Sequence, residues 1–312
     1  GFIIMEEKKK TAREIIEGYD GPPVRIMEVC GTHTHEIFRL GIRKLLPEQV
    51  ELISGPGCPV CVTQVGFIDE AIYLALERQV TICTFGDLVR VPGTNMSLAG
   101  ARERGAKIRI VYSPVDAKEY AKEHPKEQVT FLSVGFETTT PSACLSVKKA
   151  REEGLTNYSI LTANNTMPQA YEALKGSADI FLYPGHVNAI TGTKLCEELA
   201  KEGVSGVVAG FTAKELLTAL AVALARFQEG RPFFVNCYPR VVTENGSPQA
   251  QKLVEEMMEP CDSEWRGLGV IKGSGMRLQE EWSAFDARKK YKIPLIQGKA
   301  NPACRCGDVL QG

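Results

Sequence analysis

The sequence carries almost no excess charge. Thirty-seven Lys and Arg stand against 38 Asp and Glu over 312 residues, a net charge of −1. A protein whose main task is gripping nucleic acid or an anionic membrane needs a basic surplus, so neither is an expected partner. Long apolar runs are also missing. The longest stretch, around Leu216 to Ala225, is too short to cross a bilayer and follows Lys214 and Glu215, so no transmembrane segment is expected. The N-terminus, Gly1-Phe-Ile-Ile-Met5 followed by Glu6, Glu7 and three lysines, lacks a long apolar core with a cleavage site. A secretory leader is therefore not expected, and the cytoplasm is the expected compartment. No low-complexity tract is visible, and the 44% hydrophobic and 24% charged fractions exclude wholesale disorder. The length suits two or three small domains, each with its own core.

Cysteine, by contrast, is plentiful. The ten lie at 30, 58, 61, 83, 144, 196, 237, 261, 304 and 306. In a reducing compartment, clustered cysteines point to metal binding or redox chemistry more often than to structural disulfides. Two pairs stand out, Cys58-Pro-Val-Cys61 and Cys304-Arg-Cys306.

Short β-rich runs alternate with helical patterns, which argues for parallel sheets built from βαβ units. Strands are expected at 25–30, 50–54, 80–85, 107–111, 129–134, 158–163, 179–183 and 205–209. The clearest helices are expected at 36–46, 67–79, 142–153, 193–202 and 214–228. Pro141 behind Thr138-Thr139-Thr140 reads as a first-turn proline after threonine caps. The polar stretch 113–128 reads as a join between domains. After Arg231 the rhythm changes, with more Pro, Gly and charge. The expected fold is α/β: two parallel-sheet domains of Rossmann- or thioredoxin-like type facing a cleft, plus a smaller irregular C-terminal domain. The expected boundaries are 24–115, 116–230, and a third domain from 1–23 with 231–312.

Nearly every expected strand ends in a polar, glycine-containing turn: residues 30–35, 54–61, 84–87, 135–141, 163–166 and 183–186. In open α/β sheets the carboxyl ends of the strands form the ligand crevice, and glycines there let backbone come close to a ligand. Cys30, just before a helix N-terminus, is expected to have a depressed thiol pKa. His33 and His35 follow within a turn and can lower it further or share a metal; a buried, inert cysteine is the plainer alternative. Cys58 and Cys61 have the spacing of a redox dithiol, and of half a zinc or iron–sulfur site. Cys304 and Cys306 suit an iron–sulfur centre if further cysteines lie nearby. The single cysteines 83, 144, 196, 237 and 261 are expected to pack in cores. His186, Asp87 and Glu137 sit at strand ends and are expected to line the cleft with His35.

The runs Met27-Glu-Val-Cys-Gly-Thr-His-Thr-His35, Gly55-Pro-Gly-Cys-Pro-Val-Cys-Val-Thr63, Thr84-Phe-Gly-Asp87, Tyr112-Ser-Pro114, Gly135-Phe-Glu-Thr-Thr-Thr-Pro141, Pro184-Gly-His186 and Trp265-Arg-Gly-Leu-Gly269 resemble the HypD family of hydrogenase maturation proteins. The resemblance runs from about Pro23 onward, and its first two motifs are long and rich in rare residues. It implies a redox-active assembly scaffold, rather than a conventional turnover enzyme, for the iron centre of [NiFe] hydrogenases. In that centre iron carries two cyanides and one carbon monoxide. The implied partners are HypC, and HypE in a HypC–HypD–HypE complex, with cyanide made from carbamoyl phosphate by HypE and HypF. Cys30 would bind the iron of the Fe(CN)2CO fragment together with a HypC cysteine, assisted by His33. Cys58 and Cys61 would form a thiol–disulfide pair supporting cyanide attachment, fed by a [4Fe–4S] cluster. Of that cluster's ligands this sequence supplies only Cys304 and Cys306. Asn164-Asn165 and Thr212-Ala213-Lys214 also depart from the family pattern.

Two other readings compete on residues alone. A general thiol–disulfide oxidoreductase would use Cys58 and Cys61 but gives the Cys-Gly-Thr-His-Thr-His motif no role. A zinc-stabilised binding module would need a fuller ligand set than the spacing offers.

Overall fold

A computed structural model describes residues 4–5 and 8–295 of the chain, with side chains from Lys10 onward. Cys304 and Cys306 lie outside the described residues. Apart from a two-residue hairpin pairing Ile4–Met5 with Lys8–Lys9, the strands in chain order are β1 Val24–Glu28, β2 Val50–Ser54, β3 Thr81–Thr84, β4 Ile108–Ile110, β5 Val129–Gly135, β6 Tyr158–Asn165, β7 Ile180–Pro184, β8 Ser205–Ala209, β9 Phe234–Asn236, β10 Met258–Trp265 and β11 Gly269–Leu278. All eight expected strands are present. The α/β class with two parallel-dominated sheets holds.

The chain forms two compact units, interleaved in sequence: residues 1–58 with 171–248, and 59–170 with 249 onward. The first holds a five-stranded sheet in the order β9-β8-β7-β1-β2, parallel throughout. The second holds six strands in the order β10-β11-β6-β5-β3-β4. Its β4, β3, β5 and β6 are parallel, and β10 and β11 are added antiparallel at one edge. Sheet pairing thus does not follow the successive segments 24–115 and 116–230. β2 is an edge strand on β1, and β1 takes its other neighbour from β7, which starts at Ile180, while β3 to β6 lie in the other sheet. The stretch 113–128 is not a linker but carries the helix Pro114–Glu123 with Ser113 as its N-cap.

The described strands after Arg231 form no sheet of their own. β9 extends the first sheet and the β10–β11 hairpin extends the second. Trp265 closes β10, fully buried, and its indole Nε1–H donates to Ser274 Oγ at 2.8 Å. Ser274 in turn donates to the Ile271 carbonyl at 2.6 Å. Glycines at 267, 269, 273 and 275 and a register shift between Cys261 and Ser263 break the period-2 signal, which is why this hairpin is hard to read from sequence.

Strands β7 and β8 are buried at every position, as expected for parallel strands covered on both faces. The first core is built from Ile26, Leu182 and Val207 against the helix Ala213–Phe227, through Leu216, Leu220 and Leu224, with Ile16 from the helix Ala12–Glu17. Thr212 and Glu215 form a capping box at the start of the long helix, satisfying backbone donors that would otherwise be orphaned. Pro141 sits in the first turn of the helix Thr140–Glu152 as expected, although Thr139 makes no side-chain cap bond.

If the β10–β11 hairpin is integral to its sheet, Trp265→Ala should lower the urea-unfolding free energy by about 3–5 kcal/mol. A loss below about 1 kcal/mol would mean that the hairpin is a separate appendage.

Candidate functional site

The first sheet changes direction at β1. The chain leaves β1 toward β2 on one side, whereas β7 leads to β8 and β9 on the other. Adjacent strands whose connections diverge leave a crevice at their carboxyl ends, where ligands bind in open α/β sheets. There lie the loops Val29–Cys30 after β1 and Gly55–Cys58 after β2, the start of the helix Gly185–Thr191 after β7, and the turn Gly210–Phe211 after β8.

The first two loops are locked together. The Gly55 N–H donates to the Glu28 carbonyl at 2.8 Å, and the Gly31 N–H donates to the Gly57 carbonyl at 3.1 Å. A Cβ at position 57 would lie 2.2 Å from the Cys30 nitrogen and 2.4 Å from its Cα, so no side chain fits there. At Gly31 a Cβ would meet Cys58 Cβ at 3.7 Å, an ordinary contact. Two of the three candidate cysteines thus lie on abutting backbone. Cys61 follows in the short helix Pro59–Val62, where the chain passes into the second unit.

Cys30 is half-buried at the N-cap of the helix Gly31–Arg39. The expected helix over 36–46 therefore starts five residues earlier. It stops at Arg39, and Gly41, at φ 65°, admits a separate turn over Ile42–Leu45. The expected depression of the Cys30 thiol does not hold: burial pushes its pKa up, and the Thr32 and His33 amides with the Thr32 hydroxyl offset only part of this. Taking a thiolate out of water outweighs the helix terminus, because the sulfur forms no full capping bond.

His33 is completely buried. Its Nε2 lies 2.9 Å from the Gly210 carbonyl and 3.2 Å from that of Ala209. Two acceptors fix Nε2 as the protonated nitrogen, leaving Nδ1 with its lone pair, and Nδ1 is buried without a hydrogen-bond partner. Burial lowers the His33 pKa to about 4, with His186 adding a smaller push. Phe211 stacks on His33 at 4.5 Å and also meets the His186 ring at 4.1 Å. His186 is exposed, and so is His35, which points away from the buried face of its helix.

Glu28 closes β1 beneath these loops with no exposed surface. Its Oε1 accepts from Ser54 Oγ at 2.8 Å, Thr34 Oγ1 at 3.4 Å and the Arg43 guanidinium at 3.4 Å; Oε2 is buried without a partner. Sequence reasoning passed over Glu28, Phe211 and the specific need for glycine at 57. The signal for Glu28 was available: one acid at the end of an otherwise apolar strand end, Ile26-Met27-Glu28-Val29. Nothing in the sequence marked Phe211.

In the second unit, Asp87 is exposed in the short turn Gly86–Leu88. Glu137 is half-buried, accepts from the Met167 N–H at 3.2 Å through both oxygens, and is pushed up to about 7 by burial. Of the isolated cysteines, 83, 144 and 196 are buried as expected, whereas 237 and 261 are half-buried. Among the described residues no group of three or more His, Cys, Asp or Glu side chains is arranged to hold a metal, and no helix is long and apolar enough to cross a membrane.

Gly57→Ala forces backbone apart and should cost about 1–3 kcal/mol in urea unfolding, while Gly31→Ala should change stability by less than about 0.5 kcal/mol. Equal losses would contradict the interlock. His33 binds its proton in the unfolded chain near pH 6.5 but in the folded chain only near pH 4, so its neutral form loses stability as pH falls through that window. Between pH 7 and pH 5 the wild type should lose about 2 kcal/mol more than His33→Gln does. A matching loss in both would show that His33 is not held neutral.

Comparison with known proteins is consistent across the chain. The family model described as "HypD: Hydrogenase formation hypA family" matches residues 6–312. A hydrogenase maturation factor HypD from Rhodobacter capsulatus is 42% identical over 300 residues, 93% of this chain and 80% of that protein. The Escherichia coli K12 factor of the same name is 41% identical, over 93% of this chain and 79% of that protein. A putative hydrogenase expression/formation protein of Methanocaldococcus jannaschii is 38% identical, over 93% and 82%. With Cys30, His33, Cys58 and His186 following the carboxyl ends of strands in its first sheet, the chain belongs to the HypD family of hydrogenase maturation factors.

Proposed function

We propose that this protein is a scaffold on which the Fe(CN)2CO fragment of [NiFe] hydrogenase is assembled, with Cys30 as its iron-binding thiol. The observation that carries this is a half-buried Cys30 followed, three residues on in the helix it opens, by a fully buried, neutral His33 whose Nδ1 lone pair has no partner. Low-spin iron with strong-field ligands suits a soft thiolate anchor, and imidazole is a second acceptable donor. The raised Cys30 pKa means that the free protein holds a thiol. Iron then displaces the proton, so loading releases acid and weakens as pH falls.

In this reading the fragment is cargo. Its remaining positions belong to cyanide, carbon monoxide and a cysteine of a HypC-type partner, so the chain need not supply a closed ligand set. HypE would join the same assembly. Cys58 and Cys61 would form the thiol–disulfide pair of the same assembly. A [4Fe–4S] cluster takes four thiolates; Cys304 and Cys306 supply two, so the residues present do not complete it, and no step is derived through it. The cytoplasm suits thiols kept reduced.

The test is infrared spectroscopy of the chain co-purified with its HypC-type partner. Bound cyanide and carbon monoxide should give stretching bands that vanish in Cys30→Ala and weaken in His33→Ala. Bands of full intensity in Cys30→Ala would overturn the assignment.

A further inference from the structure

We propose that Glu28 is the positioning residue of the Cys30 site, clamping the Cys30 loop to the Gly55–Cys58 loop through the Ser54 and Thr34 hydroxyls and so fixing how both thiols are presented. This rests on the reading of Cys30 as the iron-binding thiol.

Four ties converge on this one residue. Its main-chain carbonyl takes the Gly55 N–H at 2.8 Å. Its Oε1 takes the hydroxyl of Ser54, the last residue of β2, at 2.8 Å. The same oxygen takes the Thr34 hydroxyl from the helix that Cys30 opens, and the guanidinium of Arg43. Arg43 also donates to the Leu52 carbonyl at 2.9 Å, drawing β2 into the same cluster. Thr34 has one hydroxyl proton and two acceptors, Glu28 Oε1 at 3.4 Å and the Cys30 carbonyl at 3.2 Å. It therefore links the acid directly to the backbone of the cysteine.

A carboxyl group in this place is costly. It has no exposed surface, and one oxygen lacks any partner. Core packing alone would be served better by an apolar residue. What the carboxyl provides is one oxygen able to collect donors from two chain segments at once, and those segments carry Cys30 and Cys58. Backbone bonds between the loops set their contact; the acid sets their register.

Alkylation by iodoacetamide, followed peptide by peptide by mass spectrometry in the full chain, reads this out, with the half-buried Cys237 of the same unit as internal reference. Glu28→Ala should raise the rates at Cys30 and Cys58 together by about tenfold relative to Cys237, the effect of losing a buried hydrogen bond. Glu28→Gln keeps an oxygen for the two hydroxyls and should restore both rates. Its amide hydrogens gain no acceptor, so it should still melt at lower temperature than wild type. Ser54→Ala should move the same two rates in the same direction by a smaller factor, which keeps the test available if Glu28→Ala does not fold. Unchanged rates, a uniform rise that includes Cys237, or failure of Gln to rescue would each overturn the proposal. Iron retention is scored separately. If Cys30→Ala keeps the iron while the Glu28 variants behave as expected, the iron reading fails and the clamp stands.

Discussion

Residues 55–58 can lie against Cys30 only because position 57 has no Cβ. That close approach lets the Gly31 N–H reach the Gly57 carbonyl, and it turns two separate strand ends into one surface bearing two cysteines. A glycine in this role costs conformational entropy on folding, and the loop accepts that cost in exchange for backbone proximity. The neighbouring features depend on it. Cys30 opens a helix whose first turn brings His33 inward, and Glu28 gathers hydroxyls from both sides.

Burial at this surface favours the neutral forms of its titratable groups. His33 is held uncharged by burial, with its protonated nitrogen committed to two carbonyls. Cys30 is pushed toward the thiol form. A site of this kind resists protonation of the imidazole and ionisation of the thiol near neutral pH. Phe211 stacks on one face of the imidazole, which helps to keep the ring out of water.

Much of the fold was legible from the sequence, because parallel strands in a doubly covered sheet are short, apolar and followed by glycine turns. β7 and β8 illustrate this. What could not be read was which strands share a sheet. β1 pairs with β7 across more than 150 residues, and no local pattern encodes that choice. The β10–β11 hairpin was missed because its glycines and register shift erase the alternation that marks a half-buried strand. In the candidate site, Cys30, His33 and Cys58 stood out in the sequence by their clustering, and the structure sets Cys30 and Cys58 on abutting backbone. The direction of the Cys30 shift was misjudged, because a helix terminus is visible in sequence and burial is not. His35 looked equivalent to His33, yet two residues along a helix is more than half a turn, and it points to solvent.

Amide hydrogen exchange at Gly31 and Gly55 tests the central claim most directly. Both amides are bonded between the Cys30 and Gly55–Cys58 segments, so they should be protected to a similar degree and lose that protection together in Gly57→Ala. Exchange at the rate of an open loop in the wild-type chain would contradict the account.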